Sequence, residues 1–299
     1  MAEKLAQIVG KENIKIDEPM KNHTSFKVGG PADVLVTPQN GIQIRDVLKL
    51  CKDNEYPVFV MGNGTNLLVR DKGIRGVVVK IYDNYNKIDV DGNMVTAESG
   101  ALLSVVSKTA LKHSLKGFEF ACGIPGTVGG AITMNAGAYT GEINDVVYSA
   151  DVIDDKFNIA NLKKDELELG YRKSIVTTKG YIILKVVLEL ENGDYDVIKD
   201  RIDLLTRKRT EKQPLHMPSA GSTFKRPEGS FAPKLIQEAG LKGRRVGDAM
   251  VSEMHSGFIV NAGEATAKDI LSLIEIVREE VKLNSNILLE PEVVIIGEE

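Results

Sequence analysis

Two glycine-rich stretches carry the residue types that can do chemistry. Residues 62–69 read GNGTNLLV and residues 122–139 read CGIPGTVGGAITMNAGAY. Successive glycines let backbone N–H groups converge on an anion as a nest, with no helix required. Thr65, Asn66, Thr127 and Asn135 add side-chain donors to the two loops. Two such loops suit a long anionic cofactor. They also suit two tight turns beside a core, and composition alone does not separate the readings.

Two familiar phosphate-binding patterns fail. A dinucleotide fingerprint needs a third glycine and then a helix, whereas position 67 is Leu and LLVRDKGIRGVVVK continues as a turn and a strand. No GxxxxGK[ST] loop occurs anywhere. His23, His113, His216 and His255 lack metal-ligand spacing, so no metal is expected. A basic cluster, Arg201, Arg207, Lys208, Arg209 and Lys212, falls at the end of a helical pattern, and Lys242, Arg244 and Arg245 form a second. Such runs are solvated faces or anion sites.

The second stretch is no linker. A flexible linker mixes glycine with serine and charge, whereas here Ile124, Val128, Ile132 and Met134 alternate with the glycines and belong in a core. The elements around it can be placed by periodicity. Residues 42–54 put Ile44, Val47, Leu48 and Cys51 on one helical face. YPVFVMGNG is a strand running into a glycine turn, IRGVVVKI is a strand, and NKIDV and NMVTAES form a hairpin through Asp91-Gly92. Residues 101–113 read as helix, and VVYSADVID and GYIILKVVLEL as buried strands. DVIKDRIDLLTRKRTEKQP is a helix with Ile198, Ile202 and Leu205 inward. TAKDILSLIEIVREEV opens on a capping box, Thr266 and Asp269, and keeps Ile270, Leu273, Ile274, Val277 and Val281 at helical spacing. ILLEPEVVIIG is a strand interrupted by Pro291. Strands and helices alternate irregularly, which points to α+β. A change of texture divides the chain into residues 1–195, with a further split near 56, and residues 196–299.

The bulk numbers set limits. The chain has 299 residues, 42% of them hydrophobic, and a net charge of −4. It can bury a large core, and nothing global points to nucleic acid or an anionic membrane. No apolar run nears the roughly 20 residues of a membrane span, and no secretory signal is visible. Two cysteines, Cys51 and Cys122, make no disulfide framework. A soluble, cytoplasmic protein is expected, monomeric, with no nucleic-acid or membrane partner.

Six ordered motifs carry a resemblance: HTSFKVGGPAD (23–33), GNGTNLLV, GIPGTVGGAITMNAGAY, YRKS (171–174), AGSTFKRP (220–227) and EPEV (290–293). From about residue 20 to its end the chain resembles the UDP-N-acetylenolpyruvoylglucosamine reductase (MurB) family. The resemblance implies an FAD-binding fold of the vanillyl-alcohol-oxidase type, followed by a smaller α+β substrate-binding domain. It also implies reduction of UDP-N-acetylglucosamine enolpyruvate to UDP-N-acetylmuramate, a step of peptidoglycan precursor synthesis. NADPH would be the reductant and FAD a noncovalent cofactor, with Cys122 a packing residue rather than a tether.

Carried over position by position, the resemblance makes Ser222 the proton donor, Arg172 the clamp on the substrate carboxylate and Glu292 the residue beside the reacting carbons. Tyr171, Lys225 and Arg209 would contact the UDP-sugar. Gly62, Asn63, Gly64, Thr65, Asn66 and Leu67 would hold the cofactor. So would Gly123, Ile124, Pro125, Gly126, Thr127, Val128, Gly129, Gly130, Asn135 and Gly137, the glycines letting backbone close on FAD where side chains would collide. The departures are mild. Asn63 and Thr65 stand where the family more often has Gly and Ser, and Thr223 stands where it commonly has Phe. The short C-terminal part lacks the tyrosine-bearing insertion of the longer branch, so the type II form is expected. Two rivals remain at this stage: another FAD-dependent oxidoreductase of the same fold acting on a sugar or hydroxy acid, and a non-redox nucleotide-sugar-binding protein.

Overall fold

β-Branched runs and apolar alternation build the sheets. The strand Ile182–Glu189 buries Ile183, Leu184, Val186 and Leu188 and lies at the centre of a five-stranded antiparallel sheet. Its neighbours are Val147–Ile153, followed outward by Ile159–Lys163, and Met94–Glu98, followed by Ile88–Asp91. The last two form the expected hairpin, and Gly92 takes the positive φ, +57°, that its tight turn asks for. Leu103, Val106 and Ala110 of helix Leu103–Lys112 share one core with this sheet. Val128, Ala131, Ile132 and Ala136 belong to the same core, so Val128 and Ile132 are interior as expected, while Ile124 and Met134 pack against it partly buried.

The computed structural model describes residues 1–299. A second sheet has the order Ile14–Pro19, Pro31–Val36, Ile74–Lys80, Val58–Met61, its last two strands parallel. Helix Gly41–Asp53 starts where the Asn40 side chain accepts the Gln43 N–H, and it buries Ile44, Val47, Leu48 and Cys51 against Val77 and Val79. Another core gathers Phe26, Val28, Leu68, Phe224, Ile236 and Ile259 under helix Ala267–Ser285. That helix has the expected capping box, with Thr266 Oγ1 accepting from Asp269 N and the Asp269 carboxylate accepting from Thr266 N. Beside it stands a three-stranded antiparallel sheet, Arg245–Val246, Ala249–Val251 and Ile259–Asn261. Leu67–Val69 pairs in parallel with Val294–Ile296, which is all of the 287–297 stretch that forms a strand.

By contacts the chain forms two compact units. One comprises residues 1–15, 34–63 and 77–209, the other residues 16–33, 64–76 and 210–299. These units are interleaved along the chain, unlike the expected divisions near 56 and 196. Most of helix Tyr195–Lys212 goes with the first unit, while the segments bearing Phe26 and Leu68 go with the second because their side chains complete its core. No helix is long and apolar enough to cross a membrane.

Candidate cofactor and catalytic site

The first loop leaves strand Val58–Met61 at Gly62. A side chain at Gly62 would collide with Thr127 Oγ1, and Asn63 Nδ2 donates to Pro125 O at 2.9 Å. The two glycine loops therefore touch, by backbone approach and by one cross-loop hydrogen bond. Gly64 sits at φ +66°. None of the backbone hydrogen bonds runs from the N–H groups of Asn63, Gly64 or Thr65. Interior N–H groups are nearly always paired, so a run of idle donors in a half-buried turn is what an anion-binding nest requires. The residues present fit the diphosphate of FAD.

Beyond the nest, Leu67 enters a buried strand, and Asn66 turns elsewhere, its Nδ2 donating to Glu292 O at 3.1 Å while its carbonyl accepts from Val294 N at 2.9 Å.

The second loop contains a short helix, Val128–Thr133, capped by Thr127, whose Oγ1 accepts from Gly130 N at 3.4 Å. Its backbone is bound to the chain before helix Leu103–Lys112: Leu103 N donates to Gly126 O, Val128 N to Ala101 O and Gly129 N to Ser99 O, at 3.1, 2.8 and 2.8 Å. Ile124 packs on the same core. Three of these glycines also sit hard against protein. A Cβ at Gly129 would stand 2.8 Å from Ser99 Cβ, one at Gly123 2.9 Å from Arg209 Cδ, and one at Gly137 2.9 Å from Glu142 Cβ. Protein fills those places, and the glycines buy close packing of the loop on its own scaffold. Gly130 is different: it is exposed, and a Cβ there meets only Thr127 Oγ1, at 3.5 Å. Asn135 is buried at φ +42° and its Oδ1 accepts from Asn144 N at 2.9 Å, which fixes the turn toward Gly137.

Helix Tyr195–Lys212 packs on this loop. Tyr139 donates its hydroxyl to Leu205 O at 2.9 Å, and the Cys122 thiol lies 3.8 Å from Thr206 Oγ1. Burial pushes the Cys122 thiol up, so it is a neutral packing group at pH 7. Burial is also the main influence on Arg209, lowering its pKa. Arg201, Arg207, Lys208 and Lys212 are exposed.

Tyr171 and Arg172 occupy a tight turn closed by reciprocal bonds between Gly170 and Lys173, at 3.0 and 3.1 Å. Arg172 is held at φ +55°, with its guanidinium 5.1 Å from the centre of the Tyr171 ring. The fourth residue of YRKS does what sequence reading missed. Ser174 is fully buried, caps helix Ile175–Lys179 and donates Oγ to Thr133 O at 2.8 Å, tying the turn to the second loop.

Ser222 follows Gly221, at φ +76°, and is exposed. The segment after it is sewn to EPEV: Glu292 N donates to Thr223 O at 2.8 Å and Lys225 N to Glu290 O at 2.8 Å. The segments bearing Ser222 and half-buried Glu292 thereby run side by side, joined by an isolated bridge between Phe224 and Pro291. Thr223, a departure from the expected Phe, is the clamp. It is buried, its N–H donates to Gly257 O at 2.8 Å and its Oγ1 accepts from Ile259 N at 3.1 Å. Lys225 Nζ lies 3.2 Å from the Glu290 carboxylate, a surface pair of small energy.

A model of an FAD-binding domain matches residues 32–161, and one for the C-terminal domain of UDP-N-acetylenolpyruvoylglucosamine reductase matches residues 213–296. The solved glucose dehydrogenase Phl p 4.0202 overlays 64% of this chain and 44% of its own with a TM-score of 0.52 at 16% identity, a likeness of fold alone. The class is therefore an FAD-binding fold of the vanillyl-alcohol-oxidase type joined to a distinct C-terminal domain. Curated reductases are much nearer. That of Clostridium kluyveri is 59% identical over 296 residues, 99% of this chain and 97% of the relative, and that of Clostridium perfringens strain SM101 is 58% identical over 293 residues, 98% and 96%. The solved MurB of Thermus caldophilus has a TM-score of 0.81 at 36% identity, over 94% of this chain and 97% of that one. The chain belongs to the UDP-N-acetylenolpyruvoylglucosamine reductase family.

Proposed function

We propose that this chain reduces UDP-N-acetylglucosamine enolpyruvate to UDP-N-acetylmuramate with NADPH, through noncovalent FAD, as a step of peptidoglycan precursor synthesis. The observation that carries the reading is the 2.8 Å bond from Glu292 N to Thr223 O, which joins the Glu292 backbone to the residue after Ser222 in a member of this family.

When bound, FAD supplies the carrier that takes a hydride from NADPH and gives it to the enolpyruvyl methylene carbon. The residues supply the rest. Negative charge develops on the alpha carbon and its carboxylate as that hydride arrives. Arg172 binds the carboxylate through its fixed fork of donors, and the Tyr171 ring braces the guanidinium. Ser222 delivers a proton to the alpha carbon. A serine hydroxyl is a weak acid, so its surroundings must stabilise the oxyanion left behind. Glu292 orients the reacting group, its backbone fixed by Thr223 and Asn66. Lys225 and Tyr171 bind the UDP-sugar. The N–H groups of the 62–67 loop, with residues 123–130, Asn135 and Gly137, hold the cofactor.

Two measurements test the reading together. The purified protein should be yellow, with the colour released into the supernatant by acid precipitation. It should oxidise NADPH only when the enolpyruvyl UDP-sugar is added. A colourless protein, or NADPH oxidation indifferent to that substrate, sinks the proposal.

A further inference from the structure

Ser174 does more than an N-cap asks of it. Capping helix Ile175–Lys179 needs only a side-chain acceptor, and Ser174 Oγ accepts from Val176 N at 3.2 Å. The same oxygen donates its one proton to Thr133 O at 2.8 Å, 41 positions back in the chain. Thr133 is the last residue of helix Val128–Thr133, and its own hydroxyl donates to Gly129 O at 2.8 Å. One fully buried hydroxyl therefore joins the start of one short helix to the end of the other. Ile175 packs in the same core as Val128 and Ile132, where an unmade hydrogen bond is strongly unfavourable.

The joint holds the turn just before it. Gly170 and Lys173 bond to each other in both directions, and between them Arg172 sits at φ +55°, which a residue with a side chain rarely adopts. Tyr171 is 60% exposed, so burial of its ring does little to hold that backbone. On the other side of the turn Glu168 accepts from Thr178 Oγ1 at 3.0 Å and pairs with Lys179 Nζ at 2.9 Å. Both ends of the turn are thus fastened to helix Ile175–Lys179, and Ser174 fastens that helix to the second glycine loop. A left-handed arginine persists only where its surroundings over-determine it. We propose that Ser174 is a positioning residue. Its hydroxyl sets the place of the Arg172 guanidinium relative to the second glycine loop, and so the place of the enolpyruvyl carboxylate relative to the cofactor. This rests on the carboxylate role given to Arg172 above and adds a residue too deeply buried to touch the substrate itself.

Ser174→Ala removes both bonds, and Ser174→Cys nearly keeps the volume with a weaker donor. Each is compared with the unaltered holoenzyme by anaerobic rapid mixing, first with NADPH and then, once reduced, with saturating enolpyruvyl UDP-sugar. Flavin content and the rate of bleaching by NADPH should match the unaltered protein. Reoxidation by the sugar should slow at least about tenfold in Ser174→Ala, toward the ~100-fold that a displacement of roughly 1 Å can bring. Ser174→Cys should fall between Ser174→Ala and the unaltered protein. Coupling to Arg172 gives the sharper test. If Ser174 acts through Arg172, adding Ser174→Ala to Arg172→Ala slows reoxidation no further, because the group it places is already gone. Should Ser174→Ala fail to purify folded, Ser174→Cys carries the same comparison. The proposal is overturned by unchanged reoxidation, by equal slowing of both half-reactions, or by effects that multiply in the double variant. Any of these leaves Ser174 a helix cap and the role of Arg172 intact. An Arg172→Ala variant that reoxidises at the unaltered rate removes the carboxylate role itself, and the proposal with it.

Discussion

Ser222 concentrates the proposed mechanism in one oxygen atom. It is exposed, follows a glycine at φ +76° and precedes the buried, doubly bonded Thr223, so its backbone is fixed by neighbours rather than by its own side chain. Ser222→Ala should therefore fold normally. Transfer of hydride from NADPH to FAD needs no proton on the sugar's alpha carbon, whereas the second half of the reaction does. Removing a positioned general acid costs roughly 10²–10⁴-fold. Rapid mixing should show bleaching of the flavin by NADPH at near the unaltered rate, and reoxidation by the enolpyruvyl substrate slowed at least about 100-fold. Equal slowing of both halves would remove Ser222 from the role of donor. What the sequence could not disclose at this scale is how the site residues are held. Asn66 reads as a cofactor donor in GNGTNLLV, yet its amide is spent on Glu292 O, and that partner is 226 positions away.

Helices and loops follow the same division between local and distant causes. The capping box of Thr266 and Asp269 is legible because its partners are three residues apart. Asp71 is not, although its two carboxylate oxygens accept from Ala267 N at 2.8 Å and Lys268 N at 3.0 Å and so supply a second cap from a remote loop. Asp71→Ala leaves those first-turn donors to water and removes a negative charge from the helix N-terminus. It should cost about 1 kcal/mol in denaturant unfolding, within the usual range for caps of ~0.5–2 kcal/mol, and an unchanged midpoint would show that the box alone suffices. The second glycine loop gives a paired test. Leu at Gly129 drives into Ser99 and should destabilise the fold by about 1–3 kcal/mol, the overpacking range, with any flavin loss secondary to that. A Cβ at exposed Gly130 meets only Thr127 Oγ1, at 3.5 Å. That variant should melt within a few degrees of the unaltered chain when both are stripped of flavin, and should purify pale. A fully yellow Gly130→Leu would mean that the cofactor does not approach this turn.

Over the whole molecule, periodicity located the four longest helices and the three longest strands, because amphipathic faces such as Ile44, Val47, Leu48 and Cys51 are written in local spacing. The compact units escaped it, since Phe26 and Leu68 enter a core made mainly of residues beyond 210, and nothing local marks that choice. The family resemblance was legible because motif order survives where contact order does not. It leads to a kinetic expectation for the complete enzyme. In the proposed reaction NADPH and the enolpyruvyl sugar each exchange a hydride with one flavin, and neither hydride transfer requires the other substrate to be bound. A carrier that is loaded by one substrate and discharged by the next gives ping-pong kinetics. Double-reciprocal plots of rate against NADPH at several fixed concentrations of the UDP-sugar should therefore be parallel. Each substrate should also inhibit at high concentration by occupying the form of the enzyme meant for the other. If the lines intersect and no inhibition develops, both substrates are bound at once, and the site must then be large enough to hold a nicotinamide and an enolpyruvyl group against the flavin together.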